Sequence, residues 1–367
     1  MKGWRECKLG DIAEFKNGKS RPSDFEIGII PIYGGNGILG YTAISNYLDE
    51  GIIIGRVGAY CGSVFYENRP IWVSDNALFC VPKNKFNAIF LYYFLKNMDL
   101  NQVAEGSSHP LITQTLLNSL DVYITDSYIE QCAIAGVLSS LDDKIDLLHR
   151  QNKTLEGMAE AVWRKMFVEE ASSKWETKTI AEVAGINEKS IGREYSFAEI
   201  EYLDTGSITE GMISQYQPLS LKEAPSRAKR IVRKNDILLS MVRPIQKHYG
   251  ILKNIKENAI ASTGFAVITC KKIDPHFIYL LLIQKEMTEF LEIIAEGSTT
   301  TYPSLVPSDI AKIDFLMPPA ALLALFSAYA SAAWDKIDKN QSQIRILSQL
   351  RDALLPKLMS GEIRVNA

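Results

Sequence analysis

The chain contains two halves built on one frame, and missing such a repeat would misread the whole fold. WRECKLGDIAE, from Trp4 to Glu14, returns as WETKTIAEVAG from Trp175. Trp4 aligns with Trp175, Leu9 with Ile180, Asp11 with Glu182, Ile12 with Val183 and Ala13 with Ala184, at an offset of 171. Glu105-Gly106-Ser107 returns as Glu296-Gly297-Ser298, and Asp143-Lys144-Ile145-Asp146 as Asp335-Lys336-Ile337-Asp338, at offsets of 191 and 192. Lys165 and Lys357 keep that last offset. The period is too long for a solenoid and indicates a duplicated domain with a longer middle in its second copy. An old duplication followed by neutral drift would also share a frame. However, the matches sit at element boundaries and the divergence is confined to the interiors, which favours one scaffold carrying two specificities.

Each half begins strand-rich. Ile29–Tyr33, Gly51–Ile54 and Ala77–Val81 are short apolar runs bounded by Gly, Asn and Pro, and read as strands. Ile237–Val242 and Gly264–Ile268 play the same part in the second half. Helical stretches are expected over Ala88–Leu100 and Pro275–Ile294.

A long helix then closes each half. Ile134, Leu138, Leu141, Ile145, Leu148, Asn152, Leu155, Ala159, Val162 and Met166 alternate at spacings of four and three, as a coiled-coil seam does. Leu323, Phe326, Ala330, Ala333, Ile337, Asn340, Ile344, Leu347, Arg351, Leu354 and Leu358 follow the same rule. Each seam carries one Asn (Asn152, Asn340), a residue that fixes register at some cost in stability. An amphipathic helix packed on its own domain would show a shorter seam, so helix–helix pairing is expected. Pro356 is expected to kink or end the second helix. A helix of about 40 residues is ~60 Å long, and an antiparallel pair would form a rod between the two variable regions. Val168–Lys174 reads as the linker. The fold class is α+β, with two tandem strand-rich modules, each followed by a long helix, the helices pairing as an antiparallel coiled coil.

Composition narrows the function. Of 367 residues, 47% are apolar and 23% charged, an ordinary globular balance. No apolar run reaches the ~18 residues a membrane span needs, and the start has no signal-peptide pattern. The five cysteines are scattered and odd in number, which fits reduced thiols in the cytoplasm. The four histidines show no metal-ligand spacing. Gly35-Asn36-Gly37-Ile38-Leu39-Gly40 fits GxGxxG, but no helix start follows, so it reads as a Gly-rich turn. Walker A, GxSxG, HExxH and the amino-methyltransferase motif are missing; Met317-Pro318-Pro319-Ala320 has only the prolines. Binding remains. Net charge is −3, yet residues 222–256 hold ten basic side chains against two acidic ones. Lys and Arg position a protein on duplex DNA through phosphates, and Arg, Lys, Asn and Gln read base edges.

With these features in place, the chain resembles, along its whole length, the specificity (S) subunit, HsdS, of type I restriction–modification systems. The resemblance rests on the WxxxxLGDIA-like opening of each half, PIYGGNGILGY from Pro31 to Tyr41, and Ala224-Pro225-Ser226-Arg227-Ala228. The glycine–serine turns at Gly106-Ser107 and Gly297-Ser298 and the ending LLPKLMSGEIRV from Leu354 to Val365 complete it. It implies a target-recognition domain over residues 1–126, a central spacer helix over 127–170, a second target-recognition domain over 171–318 and a C-terminal spacer helix over 319–367. Each recognition domain would bind one half of a bipartite double-stranded DNA site. The spacer helices would act as a ruler and dock two methyltransferase (M) subunits, with restriction (R) subunits joining where they exist. The methyl group would go to the exocyclic amine of adenine from S-adenosylmethionine held by the partner, so this chain itself is expected to be non-catalytic and cofactor-free.

Under that resemblance the candidate DNA contacts of the first domain are Lys16, Asn17, Lys19, Ser20, Arg21, Tyr33, Asn36, Arg56, Ser107, Ser108 and His109. Those of the second are Ser226, Arg227, Lys229, Arg230, Arg243, Gln246, Lys247, Thr299, Thr300, Thr301 and Tyr302. The seam residues expected to hold the spacer pair are Leu141, Ile145, Leu148, Asn152, Leu155, Ile337, Asn340, Ile344 and Leu347. The first domain lacks a basic run like that of the second, so hydroxyls, backbone amides, tyrosines or the partner would have to serve it. Two other readings compete. One is a duplicated adaptor whose rod binds proteins and whose modules bind peptides or glycans. The other is a nuclease with dispersed carboxylates.

Overall fold

The structure is a computed structural model that describes residues 3–23, 28–83, 86–106, 110–192, 195–298 and 303–365. The chain divides into two units, Met1–Asp146 with Arg345–Ala367, and Leu147–Ile344. Both are α+β and follow one plan.

In the first unit, strand Trp4–Lys8 pairs antiparallel with Asp121–Thr125. One helical turn follows, Leu9–Ile12, held by Asp11 Oδ2 accepting from the Lys8 amide at 3.0 Å. A four-stranded antiparallel sheet comes next, in the order Ala13–Asn17, Ala77–Pro82, Gly51–Gly55, Val64–Glu67. A three-stranded sheet has the order Gly37–Thr42, Ile30–Gly34, Trp72–Val73, its last pair parallel. Ile52, Ile53 and Ile54 form a continuous apolar run because both faces of their sheet are covered. Ile52 and Ile54 enter the main core with Leu9, Ile12 and Phe90. Ile53 points the other way, to Tyr33, Val73 and Phe79. Helix Ala88–Asn97 starts where Asn87 Oδ1 accepts from the Phe90 amide at 2.9 Å.

The second unit repeats the plan. Thr177–Thr179 pairs with Asp314–Leu316, and the turn Ile180–Val183 is held by Glu182 on the Thr179 amide at 2.7 Å. The four-stranded sheet runs Ala184–Ile186, Phe265–Cys270, Ile237–Ser240, Tyr249–Ile251. Again the apolar run splits by parity: Ile237 and Leu239 enter the main core, and Leu238 a second one. The other sheet runs Gln217–Ser220, Glu199–Leu203, Ala259–Ser262, Ala228–Ile231, with the central pair parallel. The extra length of this copy includes the hairpin Ile208–Thr209/Met212–Ile213 and the edge strand Ala228–Ile231.

Several element boundaries differ from those expected; the helix over Ala88–Leu100, for one, stops at Asn97. The strand over Ile237–Val242 stops at Ser240, whose Oγ accepts from the Val242 amide at 3.2 Å and turns the chain out of the sheet. The helix over Pro275–Ile294 is two helices, Pro275–Ile283 and Lys285–Glu296. Gln284 leaves helical geometry there, and its side-chain Nε2 donates to the Leu280 carbonyl at 3.0 Å in place of a backbone amide. The last helix, Ala320–Met359, runs through Pro356 and stops three residues later. A proline in the final turn removes a single ladder bond, and Leu358 and Met359 are buried in the core of the first unit.

The helix Tyr128–Arg164, extended by a π turn over Lys165–Glu169, supplies each unit with one arm of an antiparallel pair. In the first unit, Ile134 and Leu138 share a core with Leu358 and Met359, and Arg351 Nη1 meets Asp142 Oδ1 at 2.6 Å. Tyr93 Oη donates to the other oxygen of Asp142, also at 2.6 Å. In the second unit, Asn340 Nδ2 donates to Asn152 Oδ1 at 2.8 Å, and Phe167 packs edge-on against Phe326 with ring centroids 5.3 Å apart. Of the remaining seam positions, Leu148, Ile145 and Ile337 are buried, whereas Leu141, Leu155, Ile344 and Leu347 are half-buried. No helix among the described residues is long and apolar enough to cross a membrane.

Candidate nucleic-acid interface

In the first unit, several candidate side chains gather where strand Gly51–Gly55 ends. The Ile30–Gly34/Gly37–Thr42 hairpin closes on the two-residue tip Gly35-Asn36, which confirms the turn reading of the glycine-rich string. Gly35 lies so close to Gly55 that a Cβ on Gly55 would stand 2.8 Å from the Gly35 carbonyl. Asn36 is exposed at this tip. Arg56 follows Gly55 directly and is half-buried; its Nη1 donates to Asn17 Oδ1 at 3.4 Å. Its Nε is buried and unpaired among the described residues. Asn17 ends strand Ala13–Asn17, two strands away in the same sheet, and its carbonyl accepts from Tyr47 Oη at 2.9 Å. Lys19 is exposed on a chain tied to the second sheet by its amide on Val73.

Lys16, Ser20 and Arg21 are exposed, Lys16 in a surface ion pair with Glu14 at 3.3 Å. Tyr33 is brought elsewhere. It is 7% exposed, its hydroxyl donates to Glu67 at 3.2 Å, and burial beside that carboxylate pushes its pKa up to about 12. Ser107, Ser108 and His109 lie outside the described residues, as do Thr299, Thr300, Thr301 and Tyr302.

In the second unit the basic run sorts into two groups. Several members are engaged within the unit. Lys256 pairs with Glu201, Lys253 with Asp335 at 3.5 Å, Lys247 with Glu210 at 2.8 Å, and Arg230 Nη1 donates to Ser190 Oγ at 3.1 Å. Others face outward. Lys222, Arg227, Lys229 and Lys234 are exposed, with no ion pair or side-chain hydrogen bond among the described residues. Ser226 and Gln246 are exposed as well. Arg227 to Arg230 lie along the edge strand Ala228–Ile231, whose register shifts between Ala228 and Arg230. The outer side of that strand is already bonded, the Ile191 amide donating to the Lys229 carbonyl at 2.8 Å and the Ile231 amide to the Lys189 carbonyl at 3.1 Å, and the Arg227 and Lys229 side chains are exposed. Beneath the run, Asp236 is buried and accepts from Thr269 Oγ1 and the Arg233 amide, both at 2.7 Å. Burial nonetheless leaves its carboxyl pKa raised.

Arg243 and Lys247 flank the buried Pro244 on a short turn between two strands of the four-stranded sheet. Both residues adopt left-handed backbone, φ +48° and +57°. No propensity in the sequence announces that conformation for Arg or Lys, so the strain at these two positions was visible only in the fold.

The second unit also holds a cleft of about 950 Å³, floored by Tyr249, Tyr279 and Trp334 and walled by Glu156, Glu160 and Glu210 against Arg150, Lys153 and Lys247. Opposite charges face one another there, so the wall selects no single ligand charge. Among the described residues no cluster of His, Cys, Asp and Glu is placed to hold a metal ion.

Comparison with known proteins follows the same two halves. The family described as type I restriction modification DNA specificity domain matches residues 1–157 and again 172–352. The chain is 27% identical, over 354 residues, to the type I restriction enzyme MjaIX specificity subunit of Methanocaldococcus jannaschii, with 86% of this chain and 78% of that one covered. It is 26% identical over 187 residues to the HindI specificity subunit of Haemophilus influenzae, covering 50% of this chain and 40% of that protein. The crystal structure of the type I restriction–modification S subunit from M. genitalium has a similar fold: TM-score 0.65, 17% identity, 97% of this chain and 96% of the other covered. A duplicated α+β frame matched twice by one domain family places the chain in the family of type I restriction–modification specificity subunits.

Proposed function

We propose that this specificity subunit reads a bipartite double-stranded DNA site, each unit reading one half, and docks the methyltransferase subunits that modify adenine within it. A restriction subunit would join the same complex. The observation that carries this reading is the contrast between frame and interior. The order of the first four-stranded sheet, one parallel strand pair in the other sheet and the capped helical turn recur in both units, while the exposed polar side chains differ. Two copies of one scaffold with different polar surfaces suit two different short sequences. In the second unit Arg227 and Lys229 would contact phosphate and Arg243 and Gln246 base edges. In the first, Asn17, Lys19, Asn36 and Arg56 would do so.

The test is a methylome. The chain is co-expressed with the methyltransferase subunit encoded beside it, and modified adenines are mapped across the host genome by single-molecule sequencing. A split motif, methylated only when both chains are present, is expected. Absence of methylation from a folded, bound complex would sink the reading and return attention to a protein-binding adaptor.

A further inference from the structure

Both units contain the same eight-residue connection, built on one backbone and filled with different side chains. It spans 56–63 in the first unit, and 241–248 in the second. The pairs Ile54↔Val64 and Leu239↔Tyr249 fix the alignment at its two ends. Four backbone hydrogen bonds correspond, while the second left-handed position differs in its acceptor, Gly62 donating to Gly55 at 2.8 Å and Lys247 to Pro244 at 2.9 Å. Gly55 donates to Ser63 at 2.8 Å, as Ser240 does to His248 at 2.8 Å. Arg56 donates to Asn76 at 3.1 Å, and Met241 to Gly264 at 2.8 Å. Gly58 donates to Pro110 at 3.2 Å, and Arg243 to Pro303 at 3.1 Å. Cys61 donates to Gly58 at 3.0 Å, and Gln246 to Arg243 at 2.9 Å. The bridges Val57↔Leu111 and Val242↔Ser304 match as well.

This connection needs left-handed backbone at two positions. The first unit meets the need with Gly58 (φ +73°) and Gly62 (φ +89°). The second places Arg243 and Lys247 at those same two positions. Glycine enters this conformation freely, whereas a residue with a Cβ is strained in it. Strained residues of this kind gather at ligand-contacting sites. Six non-glycine residues among those described have positive φ, and three of them, Glu210, Arg243 and Lys247, meet here. The turn between the cations is fixed by the Ile245 amide on Glu292 Oε2 at 2.8 Å and by buried Pro244. Both cations are exposed. The Lys247–Glu210 pair is half in solvent, 49% and 58% exposed, and such a pair exchanges readily for another anion.

We propose that Arg243 is a specificity-determining residue of the second unit and that Lys247 is the phosphate anchor that positions it. Arg243 reads a guanine through its N7 and O6 edge, and Lys247 holds a flanking phosphate. The proposal rests on the DNA-reading function above and assigns that function's chemistry to two positions. The matching positions of the first unit have no side chain, so its half-site is read by others, with Arg56 and Asn17 nearest to the same loop.

The test uses the full chain with its methyltransferase subunit and three variants, Arg243→Gly, Arg243→Asn and Lys247→Gly. Glycine and asparagine both tolerate left-handed backbone, so these variants keep the loop, and their melting temperatures should not fall. The expected methylome of both Arg243 variants keeps one half-site and loses discrimination at one G·C pair of the other, by about 10-fold or more. Lys247→Gly should leave the sequence preference alone, weaken binding to a site duplex and lower the salt slope by about one. Wild-type methylomes from both Arg243 variants would overturn the proposal, as would equal loss at both half-sites by a folded complex. A wild-type chain that yields no split motif would instead remove the DNA-reading function, and this assignment with it.

Discussion

The Glu156 carboxylate faces the cleft of the second unit and accepts from Tyr279 Oη at 2.8 Å. Burial, together with the nearby Glu160 and Glu210, raises its pKa despite that hydrogen bond. A carboxyl whose folded pKa lies above its unfolded one favours the fold most when protonated. The stability it contributes is complete below the ordinary glutamate range and is lost as pH rises through the folded pKa. Glu156→Gln keeps an acceptor for Tyr279 and removes the charge. Melting curves between about pH 4 and about pH 8 should show the variant more stable than wild type at the upper end and no gain at the lower. A variant less stable at both ends would show that the carboxylate itself is needed in the cleft. The opposite case is Asp274. Burial alone would push its carboxyl up, but His276, at 2.9 Å, and Ser327 hold it below the usual range.

At the scale of elements, the Asn152–Asn340 contact is a buried polar point on a mainly apolar helix seam. The two amides make one hydrogen bond at 2.8 Å, and both residues are buried, 6% and 1% exposed. Replacing one leaves the other buried without its partner, whereas replacing both removes the polar group altogether. Asn152→Leu alone should therefore cost about 1–3 kcal/mol. The double variant Asn152→Leu/Asn340→Leu should cost less than the sum of the two single changes, read from a denaturant double-mutant cycle. Strict additivity would mean that the amides act independently. The seam itself was legible, because a spacing of three and four residues over ten positions leaves little else for a helix to do. The break at Gln284 was not. Its cause is a side chain folding back on its own helix, which apolar periodicity does not record.

For the whole molecule, the relevant feature is that each unit has its own cores and its own sheets. Exchanging residues 171–318 for the corresponding segment of another specificity subunit should change one half of the methylated motif and leave the other as it was. The same methylation mapping checks it, and a change in both halves would mean that the units do not read independently. The family match over residues 1–157 and 172–352 gives each unit one copy of the domain on which such an exchange depends.

The repeat, the sheet-forming apolar runs and the paired helices could be read from the residues alone. They depend on local pattern: short apolar runs between breakers, a spacing of three and four, and a frame that recurs with its capping carboxylate in place at Asp11 and Glu182. The basic character of residues 222–256 was equally plain. Tertiary structure decided which of those cations are used up inside the unit, such as Lys253 on Asp335, and which face solvent, such as Arg227 and Lys229. It also turned Tyr33 inward onto Glu67 and gave Arg243 and Lys247 the backbone of two glycines. Side-chain partners and left-handed backbone are set by contacts between segments far apart in the chain, and no local pattern carries that information.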